Sequence, residues 1–347
     1  MDQTNSNQHH ISEVLLKRFR RGSERLHCYQ VKTSQWRRRS TGDICCAKGY
    51  NQIVVGSKVD HTIENEFSKI ETKLPQTFGF FENVAASQTT SMPASIRENF
   101  RDYCAFLMLI SPVSKPGAIV AMLQEINMGI ETENYDLLRE LEVSDEAIRV
   151  LRSKYLEGGR IIIEAQNLMQ LVFRHQFDRL LPSIRHIFDN TSWSICNSSV
   201  EIPLSDVGVI PIHLEAQTAN HFILPVGPRL VAEGIFYFDA EKNTSNDLLR
   251  RADYTLEQAE YRLDCICASA VDEVICSQRI DAIPRHIKQA RENKIFFHNV
   301  VDSQLAKVSG QLPSNPSFGL KVVNVDEYRA FVHSYMRPVT EPGGSAC

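Results

Sequence analysis

Apolar positions follow two different rhythms along this chain. From Ser12 to Arg21, Val14, Leu15, Leu16 and Phe19 suit a short amphipathic helix, with Ser12 placed to cap its N-terminus. From Arg25 to Val31 the pattern alternates. Leu26, Cys28 and Gln30 face one way; His27, Tyr29 and Val31 face the other. Lys32-Thr33-Ser34 is a turn signal and Gln35 to Ser40 returns, which predicts a basic N-terminal β-hairpin. A 3.6-residue rhythm then takes over. It predicts a helix over Asp60–Leu74, with Asp60 as N-cap and Ile63, Phe67, Ile70 and Leu74 on its core face. A polar loop is expected over 82–94, then a buried helix from Ile96 to Ile110 that stops before Pro112. Further helices are expected over Ala118–Met128 and Glu133–Leu141. Asp145–Asp189 reads as mostly helical, broken near Gly158-Gly159 and at Pro182.

At Trp193 the character changes. Short Val/Ile-rich runs at Ile202–Leu204, Val209–Leu214, Phe222–Val226 and Gly234–Phe238 predict a small sheet within 193–240. A long helix over Leu256–Ser277 and a shorter element over Pro284–His298 follow. The expected architecture is α+β, mostly helical: a flexible lead-in over 1–8, one domain over 9–308 with a helical middle at 60–190 and late helices at 256–298, and a peripheral tail over 309–347.

Composition narrows the class. Of 347 residues, 43% are hydrophobic and 23% charged, which suits a packed core and argues against wholesale disorder. No apolar run approaches the roughly 18 residues of a membrane span, and Met1–His10 lacks the apolar stretch of a signal peptide, so a cytoplasmic, non-membrane protein is expected. The nine cysteines include no CxxC pair, so most read as reduced core residues. The net charge of −4 hides a contrast: Lys17–Lys48 carries ten Lys/Arg against two acids. Such a segment either binds an external anion, nucleic acid among them, or docks on the acidic remainder of its own chain or of a partner.

Several segments, in order, resemble the bacterial domain-of-unknown-function family 4238. The family's opening pattern, N/Q-H-H/Y-I/V-P-Q-x-x-L-R-x-F, is similar to Gln8-His9-His10-Ile11-Ser12-Glu13 through Phe19, with Ser12 and Glu13 in place of Pro and Gln. Leu26-His27-Cys28-Tyr29 is similar to its Tyr-rich strand, Ile44–Tyr50 to a segment ending in Phe-Tyr, and Ile63-Glu64 with Ile70-Glu71 to its paired glutamate helix. Leu204-Ser205-Asp206-Val207-Gly208-Val209 resembles its Ser-Asp motif, with Gly208 where proline is usual; Phe222–Pro228 and Leu263–Ser277 resemble later segments. One departure stands out. The family's arginine at the end of the buried helix is absent from Leu109-Ile110-Ser111-Pro112. The resemblance implies a fold and a set of candidate positions, and no particular activity.

Those positions carry candidate chemistry. His9 can serve as metal ligand or general base, or can anchor the N-terminus through a hydrogen bond. Asp206 can act as ligand or base at a strand end, or cap a turn through its carboxylate. Glu64 and Glu71 lie about two turns (~10.5 Å) apart on one helix, too far to share an ion. One of them, or Glu13, can complete an acidic site, or the pair can hold the hairpin's cations. Arg37-Arg38-Arg39, near Trp36, Tyr29 and Phe19, can follow a phosphate backbone or guard an exposed strand edge. Nucleotide-binding glycine loops, a G-x-S-x-G elbow and an H-E-x-x-H helix are absent.

Two function classes follow. In the first the protein is a metal-dependent hydrolase acting on nucleic acid: His9, Asp206 and a glutamate hold a divalent metal, and the 17–48 segment holds phosphates. In the second it is a non-enzymatic binding or regulatory protein, for example of a bacterial defence or mobile-element cassette, in which the same polar positions are structural.

Overall fold

The protein is described by a computed structural model covering residues 7–20, 22, 25–48, 50–51, 53–55, 58–87, 89–112, 115, 125–141, 143–158, 166–213, 219–237 and 248–292. The strands are β1 (Asn7–His9), β2 (Arg25–Gln30), β3 (Gln35–Ser40), β4 (Cys46–Lys48), β5 (Ile53–Val55), β6 (Lys58–Asp60), β7 (Thr90–Ser91), β8 (Ser192–Asn197), β9 (Leu204–Ser205), β10 (Ile210–His213), β11 (Ala219–Gly227), β12 (Leu230–Tyr237), β13 (Leu248–Asp253) and β14 (Glu273–Cys276). The helices are α1 (Glu13–Arg18), α2 (Thr62–Glu71), α3 (Leu74–Ala86), α4 (Ala94–Ile110), α5 (125–131), α6 (Asp136–Glu140), α7 (Asp145–Gly158), α8 (Gln166–Asp189), α9 (Leu256–Ser269) and α10 (Ile283–Glu292). The class is α+β.

Helix α4 forms the centre. Every residue from Tyr103 to Ile110 is buried, so this helix is covered all round by other elements. Phe67 of α2 stacks over Tyr103 and Phe106, and Phe81 of α3 meets Phe100 edge-on at 4.8 Å. A six-stranded sheet in the order β10-β11-β12-β8-β13-β7 packs Trp193 against Phe100 and Phe188. A second sheet, β3-β2-β14-β9, is antiparallel throughout. Its two faces have different fates. Leu26, Cys28, Ile275 and Leu204 join the main core, whereas Tyr29, Val274 and Cys276 form a smaller core with Leu263 and Cys267 of α9 and Ile283 and Ile287 of α10.

The structure corrects several sequence expectations. Residues 7 and 8 are not lead-in: Asn7, Gln8 and His9 pair with Lys48, Ala47 and Cys46. The expected loop at 82–94 is helical as far as Ala86, because Phe81 and Val84 continue the buried stripe of Leu74, Thr77 and Phe78. Helix α8 runs through Pro182. Proline removes one backbone hydrogen bond, but Pro182 is exposed, so the freed carbonyl can meet water while Phe177, Ile184 and Phe188 stay buried. The long helix expected over 256–277 ends at Ser269, and Glu273–Cys276 is a strand buried at every position, with its sheet covered on both sides. The 118–124 part of one expected helix, the 293–298 end of another and the 309–347 tail lie outside the described residues.

Candidate functional site

The family-like polar positions gather around the N-terminal arm. Ser12 caps α1 by accepting from the Val14 N–H at 3.1 Å, and this first turn is pinned from two sides. Glu13 accepts from the Thr41 hydroxyl at 2.8 Å, the main reason its carboxyl sits below the usual range, and pairs with Lys17 at 3.2 Å. Glu71 is pushed upward chiefly by burial, with the Ser12 hydroxyl and the Glu13 N–H as its opposing partners. Asn51, missed in the sequence, is the main connector. Its backbone N–H donates to Gln8 Oε1 at 2.7 Å, and its amide nitrogen donates to the His9 carbonyl at 3.3 Å and to Glu64 Oε2 at 3.0 Å. His9 directs Nε2 at the Thr41 carbonyl, 3.3 Å away. The glutamates of α2 therefore hold the N-terminal arm, not the arginines of the hairpin. Asn51→Ala is expected to cost about 2 kcal/mol, since it strips partners from buried groups. Hydrogen exchange at the Gln8 and His9 amides is expected to accelerate more than at α4.

Asp206 sits beside the arm at His10, but its carboxyl is fully occupied. It is 2% exposed, and its carboxylate accepts the backbone N–H groups of Val271 (2.9 Å), Asp272 (2.7 Å) and Glu273 (3.2 Å). It thus clamps the chain between α9 and β14. Burial dominates those bonds and pushes its acid up to about 7. His9 and Asp206 are each tied to backbone, and among the described residues no three His, Cys, Asp or Glu side chains are grouped to hold a metal ion. His10 meets the Asp206 backbone, and the Asp206 carboxyl also reaches Tyr50 and Cys45, where it adds to burial in pushing both groups up.

The basic segment divides by strand alternation. Cross-strand pairing of His27 with Arg38 and of Cys28 with Arg37 puts Arg38 on one face and Arg37 and Arg39 on the other, so the three arginines form no single stripe. Arg39 turns inward to Glu273, which also accepts from Gln30 at 2.6 Å. Lys17, Arg18 and Lys32 likewise pair with Glu13, Glu82 and Asp272. Much of the segment's charge is therefore met by the chain's own carboxylates. Phe19 is wholly buried and Tyr29 nearly so, which leaves neither free to stack on a base.

One edge of the sheet brings aromatic and cationic side chains together. Trp36, half-buried on β3, meets Tyr29 at 5.4 Å, and the Arg279 guanidinium lies 5.9 Å from its ring centroid. His27, on the same face, is pushed down first by burial and then by Arg38, with Arg279 adding to the effect. Arg279 also pairs with Asp281 at 2.6 Å, both side chains being well exposed, so solvent screens that pair. Arg279 carried no signal in the sequence. It sits beyond β14, some 240 residues from the hairpin that it joins.

Among the described residues no helix is long and apolar enough to cross a membrane. No curated protein and no solved structure is detectably similar to the chain. The family model described as "Protein of unknown function (DUF4238)" matches residues 7–289, a span that takes in the N-terminal arm, the paired glutamates of α2, the Asp206 turn and β14. With that much of the chain matched, and with its family-like positions built into one framework, the protein belongs to the DUF4238 family.

Proposed function

We propose that this protein is a non-enzymatic nucleic-acid-binding protein, and that it contacts its ligand through the outer edge of the β3-β2-β14-β9 sheet. The observation that carries this reading is the meeting of Arg38, His27 and Arg279 beside the half-exposed Trp36. Cations take phosphates and an aromatic edge takes a base, the combination that suits a single strand. The alternative, a metal-dependent hydrolase centred on His9 and Asp206, has less support, because both residues already serve the backbone and share no ligand group with Glu13, Glu64 or Glu71.

Two or three phosphate contacts predict a modest salt response. Raising salt from about 50 to about 200 mM is expected to weaken single-strand binding by about 7- to 18-fold. Fluorescence anisotropy of a labelled oligonucleotide measures this directly. Arg38→Ala with Arg279→Ala is expected to weaken binding about tenfold and to flatten the salt slope. Salt-independent binding, or an unchanged affinity in the double variant, would reject the edge as the contact surface.

A further inference from the structure

Helices α2, α3, α4 and α8 surround a cavity of about 410 Å³ that has no part in the sites above. Two of these helices bring their first turns to it. Gln76 and Thr77 of α3 and Ser95 and Ile96 of α4 are among the residues that line it. Both helices begin uncapped. Lys73 and Pro93 stand at the two N-cap positions, neither makes a side-chain capping bond, and neither first turn holds an acid. The first N–H groups of a helix have no partner within it, and its N-terminus carries roughly half a positive charge. Here two such ends meet one cavity.

The lining side chains sort into groups already used and groups left over. Arg101 and Arg185 share Asp102, at 2.8 and 2.9 Å, and Arg101 also meets Asp189 at 3.1 Å. Lys69 pairs with Glu66. Lys73 and Glu98 are exposed and have no ion-pair partner among the described residues. Asn99 is only 6% exposed. Its amide nitrogen donates to Thr77 Oγ1 at 3.1 Å, and the Thr77 hydroxyl donates to the Lys73 carbonyl at 3.4 Å. The Asn99 carbonyl oxygen accepts from no described residue, yet it is not among the sealed polar atoms of the interior. Asn99 lines the cavity, so that oxygen is open to a donor placed there.

We propose that this cavity binds a small phosphorylated polyhydroxy compound, a sugar phosphate in chemical class. The phosphate lies between Lys73 and the first turns of α3 and α4. One ammonium and two helix ends together offer about +2, which matches a phosphomonoester dianion and leaves a carboxylate outweighed. The hydroxyl groups donate to the Asn99 carbonyl oxygen and to Glu98, the two acceptors left over. The buried Ile70 and Ile96 meet the carbon skeleton. The volume lies within the roughly 300–1,000 Å³ of small-molecule sites. The site shares no residue with the cationic sheet edge, so it stands or falls independently of nucleic-acid binding.

The test is thermal unfolding of the full chain with ribose 5-phosphate, glucose 6-phosphate, glucose or inorganic phosphate at matched ionic strength. At least one sugar phosphate is expected to raise Tm saturably by about 2–4 °C, with glucose and inorganic phosphate well behind. Lys73→Gln removes an exposed charge and is expected to cut the shift to less than half. Ser95→Asp is expected to abolish it while the ligand-free Tm holds, because an acid in the first turn suits the helix end and repels a phosphate. Arg38→Ala with Arg279→Ala is expected to leave the response intact, which separates this cavity from the sheet edge. The proposal is overturned if neither sugar phosphate shifts the wild-type protein, or if glucose or inorganic phosphate shifts it equally. It is also overturned if the response survives in full in Lys73→Gln or Ser95→Asp, or if it disappears in the sheet-edge variant.

Discussion

Asp206→Ala is expected to destabilise the protein by about 4 kcal/mol at pH 5, one of the largest single effects in the molecule. The substitution orphans the N–H groups of Val271, Asp272 and Glu273 at once, each at roughly 1–3 kcal/mol, and leaves a cavity beside a fully packed turn. The pH dependence has a defined sign. The folded acid titrates at about 7, against 3.8 for the ordinary side chain, so between these values the folded state holds a proton that the unfolded chain has lost. The associated stability is complete below the lower value and is lost as pH rises through the upper one. Over pH 5 to 8 the wild-type protein is therefore expected to lose about 2–3 kcal/mol through this group. Urea unfolding at both pH values checks the claim. Asp206→Ala is expected to lack that slope, so the gap between the two proteins narrows at pH 8. A gap that stays constant from pH 5 to 8 would mean that the three backbone bonds outweigh burial, and that the carboxylate is ionised throughout.

Restoring the proline usual in the family at Gly208 is expected to prevent folding. Gly208 has a φ of +79°, far from the roughly −65° that proline requires. Its N–H donates to the Ser205 carbonyl at 3.1 Å, a bond that proline cannot make. A Cβ here would stand 2.9 Å from Ile11 Cδ1 and 3.3 Å from Leu107 Cδ1. Together these effects amount to about 4 kcal/mol or more, and loss of soluble protein is the expected readout. Gly208→Ala is milder, at about 2–3 kcal/mol, because it keeps the N–H and meets only strain and crowding. Adding Ile11→Val deletes the methyl group in the way. The double variant is expected to regain the steric part and not the conformational part, which denaturant unfolding can separate as a coupling energy. A Gly208→Pro protein that melts like the wild type would show that this turn is not the one described.

These residues illustrate what the sequence disclosed. Period-2 alternation made the strand Arg25–Gln30 legible because its side chains divide between two faces, and the buried helix of Ile96–Ile110 was legible as an apolar run that stops before Pro112. Glu273–Cys276 was not. It follows a helix without a glycine or proline, and what ends the helical run is a carboxylate from Asp206, 65 residues earlier for Val271. Leu248–Asp253, with two arginines and an aspartate, reads as polar chain. It becomes a strand because β8 offers it a parallel partner. At the candidate site, His9, Glu64 and Glu71 were visible as positions, yet their roles depend on Asn51 and Ser12, whose short polar side chains look like ordinary loop and cap residues.

The pairing of β2 with β14 sets a timetable for synthesis. His27 meets Cys276 and Gln30 meets Glu273, so the hairpin's inner strand has no neighbour on that side until nearly 250 further residues have been made. At about 5–20 residues per second, a ribosome needs about 12–50 s to deliver that partner. Throughout that interval Leu26 and Cys28 on one face and Tyr29 on the other await the elements that will bury them, with an open strand edge between them. The arginines along β3 thus guard the nascent chain as well as the finished one, since like charges on two growing chains discourage their hairpins from pairing with each other before β14 arrives.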